Sequence, residues 1–233
     1  MKKVFLHSLV LSLLSSSCIM NAAEAPTPAV KSCLLGNTNI VFATGVKIFE
    51  PNSSWVLDEH MGNLTLATPA EASLAPAGGL NGFVHKEAGP ELATACAEKI
   101  ASNGENNFEI GAAALTDSFK LGTKGIQHIA HIAASRCEYY PDNKAEQNSR
   151  LEDCYRNMCN VAHAAQSPAI LSVLFGTGVG GYTIERSAGL LAQAITSLQE
   201  TGTVKSVYIV CSKPEDMTAA VAAVKAFQLS SGK

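Results

Sequence analysis

The chain is 233 residues long, 47% hydrophobic and 16% charged, with a mean hydropathy of +0.13. That composition supports a folded core and excludes the disordered and collagen-like classes, and no self-similar period argues for a solenoid. A formal charge of −3 gives no general attraction for nucleic acid or an anionic membrane, so any phosphate recognition has to come from local geometry.

Met1-Lys2-Lys3, the apolar run Val4 to Leu14, a serine cluster and the small residues Ala22 and Ala23 have the three-part layout of a secretory signal. The apolar run is too short to span a bilayer. Cleavage after Ala23 is expected, because a cut after Ala25 would place Pro26 next to it. Cys18 raises a lipoprotein reading, ranked lower because Ser15 stands where a lipobox has Leu. The expected destination is therefore periplasmic or secreted, with residues 1–23 removed. The remainder carries fifteen basic and twenty acidic residues, a charge of −5.

Residues 24–38, with Pro26, Pro28 and Gly36, read as a leader or linker, and residues 39–230 as one α/β domain. Short apolar runs at Ile40–Phe49, Leu64–Ala67, Phe108–Ala114, Ile126–Ala133, Ile170–Phe175 and Val207–Cys211 predict strands. Val84, Ala88, Leu92, Ala95 and Ile100 share one helical face, as do Ile184, Ala188, Leu191, Ala192, Ile195 and Leu198. Further helices are predicted over Asn143–His163 and Met217–Phe227, the last after Pro214-Glu215-Asp216. Strands alternating with helices imply a parallel or mixed sheet covered on both faces, with ligands beyond the strands' carboxyl ends.

Two glycine-rich loops follow predicted strands and precede predicted helices: Ala77-Gly78-Gly79-Leu80-Asn81-Gly82 and Gly176-Thr177-Gly178-Val179-Gly180-Gly181-Tyr182. Glycine lets backbone amides approach an anion, and a helix N-terminus adds unpaired N–H donors and partial positive charge. The second loop lacks the Gly-Lys-[Ser/Thr] ending of a Walker A loop. The first lacks the Gly-x-Gly-x-x-Gly spacing of a dinucleotide fold. Either one alone could be an ordinary strand-to-helix turn; two at equivalent strand ends point to a diphosphate cradle.

With Ala88-Gly89-Pro90-Glu91-Leu92, Cys96, Gly111-Ala112, Thr116, Leu121 and Lys124 to His128 between those loops, the chain from about Asn39 to Phe227 resembles a macrodomain, the α/β module that binds ADP-ribose. The resemblance implies a three-layer α/β/α fold with a mixed central sheet. It implies that Gly78, Gly79, Leu80, Asn81 and Gly82 clamp a diphosphate from one side. Thr177, Gly178, Val179, Gly180 and Gly181 would clamp it from the other, with Tyr182 beside the distal ribose. The chain departs from the family where specificity lies. Gly45-Val46-Lys47 stands in place of Gly-Asp-Ile, whose Asp accepts from the adenine amino group. Thr68-Pro69-Ala70-Glu71 stands in place of Asn-Ala-Ala-Asn, and Asn81 in place of the Asp that helps activate water in one hydrolase branch. Glu71 and Asn81 are therefore the catalytic candidates, Glu71 as the residue that would position water.

Three functions follow. The leading one is an exported macrodomain binding ADP-ribose or a related nucleotide diphosphate. The second is an ADP-ribosyl hydrolase acting on a modified protein or small ester. The third is a secreted interaction module with a degenerate pocket. No cofactor, metal, nucleic acid or membrane span is expected. His128 and His131, three apart in a predicted strand, point to opposite faces and are read as packing residues. His85 and Glu87 are read as solvated first-turn residues, and Asp58-Glu59-His60 as an exposed loop. Cys33, Cys96, Cys137, Cys154, Cys159 and Cys211 permit disulfides or buried thiols, and their connectivity is open. Cys154 and Cys159, five apart on a predicted helix, are not bridged in an undistorted helix.

Overall fold

The computed structural model describes residues 28–198 and 202–232, and the expected export signal lies outside them. Seven strands form one sheet: β1 (Ala29–Leu35), β2 (Thr38–Thr44), β3 (Leu64–Ala70), β4 (Ala113–Asp117), β5 (Ile126–Ala133), β6 (Ala169–Ser172) and β7 (Ser206–Val210). Their order is β1-β2-β7-β6-β3-β5-β4. The five inner strands run parallel, while β1 and β4 pair antiparallel at the edges.

Helices α1 (Gly79–Ala88) and α2 (Glu91–Ser102) cover one face, and α3 (Lys144–Ala164), α4 (Ile184–Ser197) and α5 (Pro214–Ser231) the other. The period-2 alternation of β2 feeds both layers: Ile40 and Phe42 join the cluster that holds α3 to α5, and Val41 and Ala43 join the one that holds Trp55, Val56 and the apolar residues of α1 and α2. This is the three-layer α/β/α arrangement with a mixed sheet. No helix among the described residues is long and apolar enough to cross a membrane.

Four local expectations need correction. Residues 29–35 are not a linker but an edge strand paired with β2 from Ala29↔Thr44 to Leu35↔Thr38. Gly36, at φ 56°, takes the first position of the two-residue turn between them, the position a type II′ hairpin gives to glycine. Alternate residues Cys33 and Leu35 are buried while Leu34 is exposed, and Gln228 of α5 donates to the Leu34 carbonyl at 2.6 Å. The strand expected at Phe108–Ala114 begins only at Ala113, because Gly111 turns the chain at φ 96° and Phe108 N–H is spent on the Ala72 carbonyl. The apolar face Val84 to Ile100 is carried by two helices, broken where Gly89 adopts φ 101° ahead of Pro90. His60 is buried rather than exposed, with Nδ1 2.8 Å from the Tyr208 hydroxyl.

All six described cysteines are free, and five are buried. Burial pushes the Cys154 and Cys159 thiols up to about 12, which holds them protonated and unreactive.

Candidate ligand-binding site

The parallel strands end at a cavity of about 570 Å³, within the range of small-molecule sites. Four strand ends build it: β3 supplies Glu71, β5 supplies Ser135 and Arg136, β6 runs into residues 173–180, and β7 contributes Val210, Cys211 and Ser212. The start of α1 closes one side and Asp216, in the first turn of α5, stands at another.

Both glycine loops reach this one cavity. Of the residues expected there, Glu71, Gly78, Gly79, Leu80, Thr177, Gly178, Val179 and Gly180 line it. Gly78 is the N-cap of α1, whose first-turn N–H groups have no acceptor inside the helix. In the second loop the amides of Thr177, Gly178, Val179 and Gly180 donate to nothing within the described protein. Two sets of unpaired donors therefore border one space, an arrangement that can hold a polyanion between them.

The glycines divide by role. A Cβ on Gly78 or Gly178 would meet nothing within 4 Å, so these two leave room at the cavity wall. Gly180 is needed for packing, since its Cβ would come within 2.7 Å of the Gly176 backbone, and Gly82 for the same reason, at 2.2 Å from the Ala77 carbonyl oxygen. The Thr177 hydroxyl donates to the Leu174 carbonyl at 3.0 Å, fixing the loop's entry.

Asn81, Gly82, Gly181 and Tyr182 are not in the cavity wall. Asn81 is buried; its amide donates to the Ala75 carbonyl at 2.9 Å, which braces the first loop, while its Oδ1 has no hydrogen-bond partner among the described residues. Tyr182 is also buried. Its hydroxyl donates to the Gln147 carbonyl at 2.8 Å and lies 2.9 Å from the Ser135 hydroxyl. The Arg186 guanidinium sits 4.8 Å from the ring centroid. Tyr182 is thus a strut beneath the loop, tying it to α3 and to the end of β5. An aromatic closing a glycine loop gives the same sequence signal in either role, so the two cannot be told apart before the chain is folded.

Glu71 does not stand alone: its carboxylate accepts from Arg136, which also lies 3.3 Å from Glu138 and 5.8 Å from the Tyr139 ring centroid. The pair offsets the repulsion that an isolated carboxylate would exert on a bound anion. Arg136 and Asp216 were not singled out from the sequence. The signal that finds them is positional, since both follow the carboxyl ends of inner strands. Val46 and Lys47 do not reach the cavity wall.

His85 is not solvated: it lies in the second turn of α1, buried, and meets Cys96 of α2 and His131 of β5. His128 stays apart from that group. Glu87 is ion-paired with Lys124 at 2.9 Å, an attraction that lowers its carboxyl.

An α/β/α sandwich with two facing amide-rich loops at the strands' carboxyl ends defines a class of nucleotide-binding module. Residues 67–191 match the family model of the macro domain, and the chain belongs to that family. Among curated relatives, an O-acetyl-ADP-ribose deacetylase of Salmonella newport is 28% identical over 151 residues, 64% of this chain and 80% of the relative. A macro domain-containing protein of Streptomyces griseus is 24% identical over 56% of this chain and 70% of its own. Among solved structures, a point mutant of the Oceanobacillus iheyensis macrodomain with ADPR superposes with a TM-score of 0.70 at 25% identity, covering 85% of this chain and 98% of that one.

Proposed function

We propose that the protein binds ADP-ribose, or a nucleoside diphosphate sugar closely related to it, with the diphosphate held between the start of α1 and residues 177–180. The observation that carries this reading is the convergence of two sets of unpaired backbone amides on one cavity of about 570 Å³. The solved macrodomain with ADPR and the O-acetyl-ADP-ribose deacetylases among its relatives support it. Residues 1–23 are proposed to direct export, the protein acting in the periplasm or outside the cell. Mass measurement of the purified exported chain would show whether it starts at Glu24.

Isothermal titration with ADP-ribose, ADP and NAD is the direct test, with ADP-ribose expected to bind and to raise the melting temperature. Gly178→Val places two methyl groups in open cavity space without a backbone penalty, as Gly178 does not need positive φ. It should weaken ADP-ribose by more than about tenfold while leaving stability within about 0.5 kcal/mol. No heat and no thermal shift at millimolar ADP-ribose would overturn the reading.

A second reading, hydrolysis of an ester or of a modified protein, is favoured by one observation: the Glu71 carboxylate lines the cavity. In this reading Glu71 orients the attacking water. Release of acetate or ADP-ribose should then be lost in Glu71→Gln, while ADP-ribose binds at least as tightly as in the wild-type protein, since the change removes a negative charge from the cavity wall.

A further inference from the structure

We propose that His85, Cys96 and His131 form a binding site for one copper(I) ion, between α1, α2 and β5 and separate from the nucleotide cavity. None of the three lines that cavity. Each offers one donor atom, and the three donors lie within 4.8 Å of one another. The Cys96 sulfur is 3.7 Å from His131 Nε2 and 4.0 Å from Nδ1, and the two imidazole centroids are 6.0 Å apart. Two imidazole nitrogens and one thiolate around an ion, at bond lengths of about 2.0–2.3 Å, sit roughly 3.6–3.8 Å from each other in a trigonal plane. The 4.0 Å between Cys96 Sγ and His131 Nδ1 is within a few tenths of an ångström of that spacing, and donors up to 4.8 Å apart would close by about 1.0–1.2 Å.

The hydrogen bonding points the same way. Neither ring nitrogen of His85 makes a hydrogen bond of good geometry, although the residue is only 8% exposed and its one polar backbone neighbour is Leu74. With Leu74 serving at most one ring nitrogen, the other is a buried lone pair that is costly to leave unoccupied. His131 is fully buried, and its Nε2 lies 3.1 Å from the Thr116 hydroxyl. That contact leaves Nδ1 as the donor toward the ion and makes Thr116 the outer partner that fixes the ring, as outer partners of ligating histidines do.

Charge and coordination number select the ion. Binding displaces the Cys96 thiol proton: the thiol and Cu(I) give a thiolate-bound Cu(I) and one released H⁺, with no change of oxidation state. One thiolate and one monovalent cation make a neutral unit in apolar surroundings, where an uncompensated charge is penalised. Zn(II) would keep a net positive charge there and require a fourth ligand, and soft thiolate donors favour Cu(I).

The test uses the full chain under anaerobic, reducing conditions, titrated with Cu(I) against the chromophoric chelator bathocuproine disulfonate. The protein is expected to withdraw one copper per chain. X-ray absorption should then show a three-coordinate ion with two nitrogens and one sulfur, and anomalous diffraction at the copper edge should place it among the three residues. Cys96→Ser and His85→Phe are each expected to weaken Cu(I) by more than about tenfold, with ADP-ribose titrations unchanged. Failure to compete with the chelator, copper located at another cysteine, preference for Zn(II) with water as fourth ligand, or folded variants that keep wild-type affinity would each overturn the proposal. Should the variants not fold, the anomalous map of the wild-type protein decides alone.

Discussion

Glu71 and Arg136 meet at the wall of the cavity, and their chemistry is opposed for an anionic ligand. Removing Glu71 leaves Arg136 with Glu138 as its remaining counter-ion and takes one negative charge from the cavity wall, so Glu71→Ala should tighten ADP-ribose severalfold. Arg136→Ala should weaken it by a similar factor, both effects shrinking as salt rises. Because both side chains are partly exposed, neither change should move stability by more than about 1 kcal/mol. Titration calorimetry at two ionic strengths, with urea unfolding beside it, measures both. Tyr182→Phe acts differently. It removes the hydroxyl shared with Ser135 and Gln147 in a buried setting, for an expected loss of about 1–3 kcal/mol, read as a lower urea midpoint. At this scale the sequence is a partial guide. Gly78, Gly79 and Thr177 to Gly180 lie where their pattern puts them. Asn81 and Tyr182 do not, because a residue type next to a loop does not reveal which side of the backbone its side chain takes.

Elements carry the site by their ends. Helix α1 can begin where it does only because Gly82 lets its first turn pass the Ala77 carbonyl oxygen at a distance no Cβ tolerates. Gly82→Ala should therefore cost about 1–3 kcal/mol and weaken ADP-ribose as well, whereas Gly178→Val affects the ligand alone. Comparing the two by unfolding and calorimetry separates packing glycines from those that leave space. The inner strands β3, β5, β6 and β7 were legible as apolar runs because they are buried on both faces. Strand β1 was not: Lys31 and Ser32 dilute its apolar content, and only Cys33 and Leu35 point inward. The signal that marks it is the Gly36-Asn37 turn, which pairs two segments rather than ending a linker. The break between α1 and α2 was equally visible in Gly89-Pro90, but one continuous apolar face across the break concealed it.

At the scale of the whole molecule, acid stability is set by imidazoles. Burial lowers His60, His85 and His131. Each is neutral in the native state at pH values where the unfolded chain, titrating near 6.5, already holds a proton. The unfolded state then binds more protons, so stability present above pH 6.5 is lost as pH falls below it, for each histidine until its own lowered folded value is reached, about 3 for His131. The slope is about 1.4 kcal/mol per pH unit for each histidine that stays neutral. Urea titrations between pH 7.5 and 4.5 should show the midpoint falling steadily, and His60→Gln should flatten the dependence. No composition or spacing argument reaches this property, since it depends on residues from β5, α1 and the segment before β3 coming under cover together.

The strut formed by Tyr182, Ser135 and Gln147 also bears on how fast the cavity fills. A loop anchored from below arrives already aimed, so an incoming ligand meets no slow rearrangement before it docks. Stopped-flow traces of ADP-ribose uptake should be single exponentials whose rate climbs linearly with concentration. In Tyr182→Phe the same plot should bend toward a plateau, as the unanchored segment begins to set the pace.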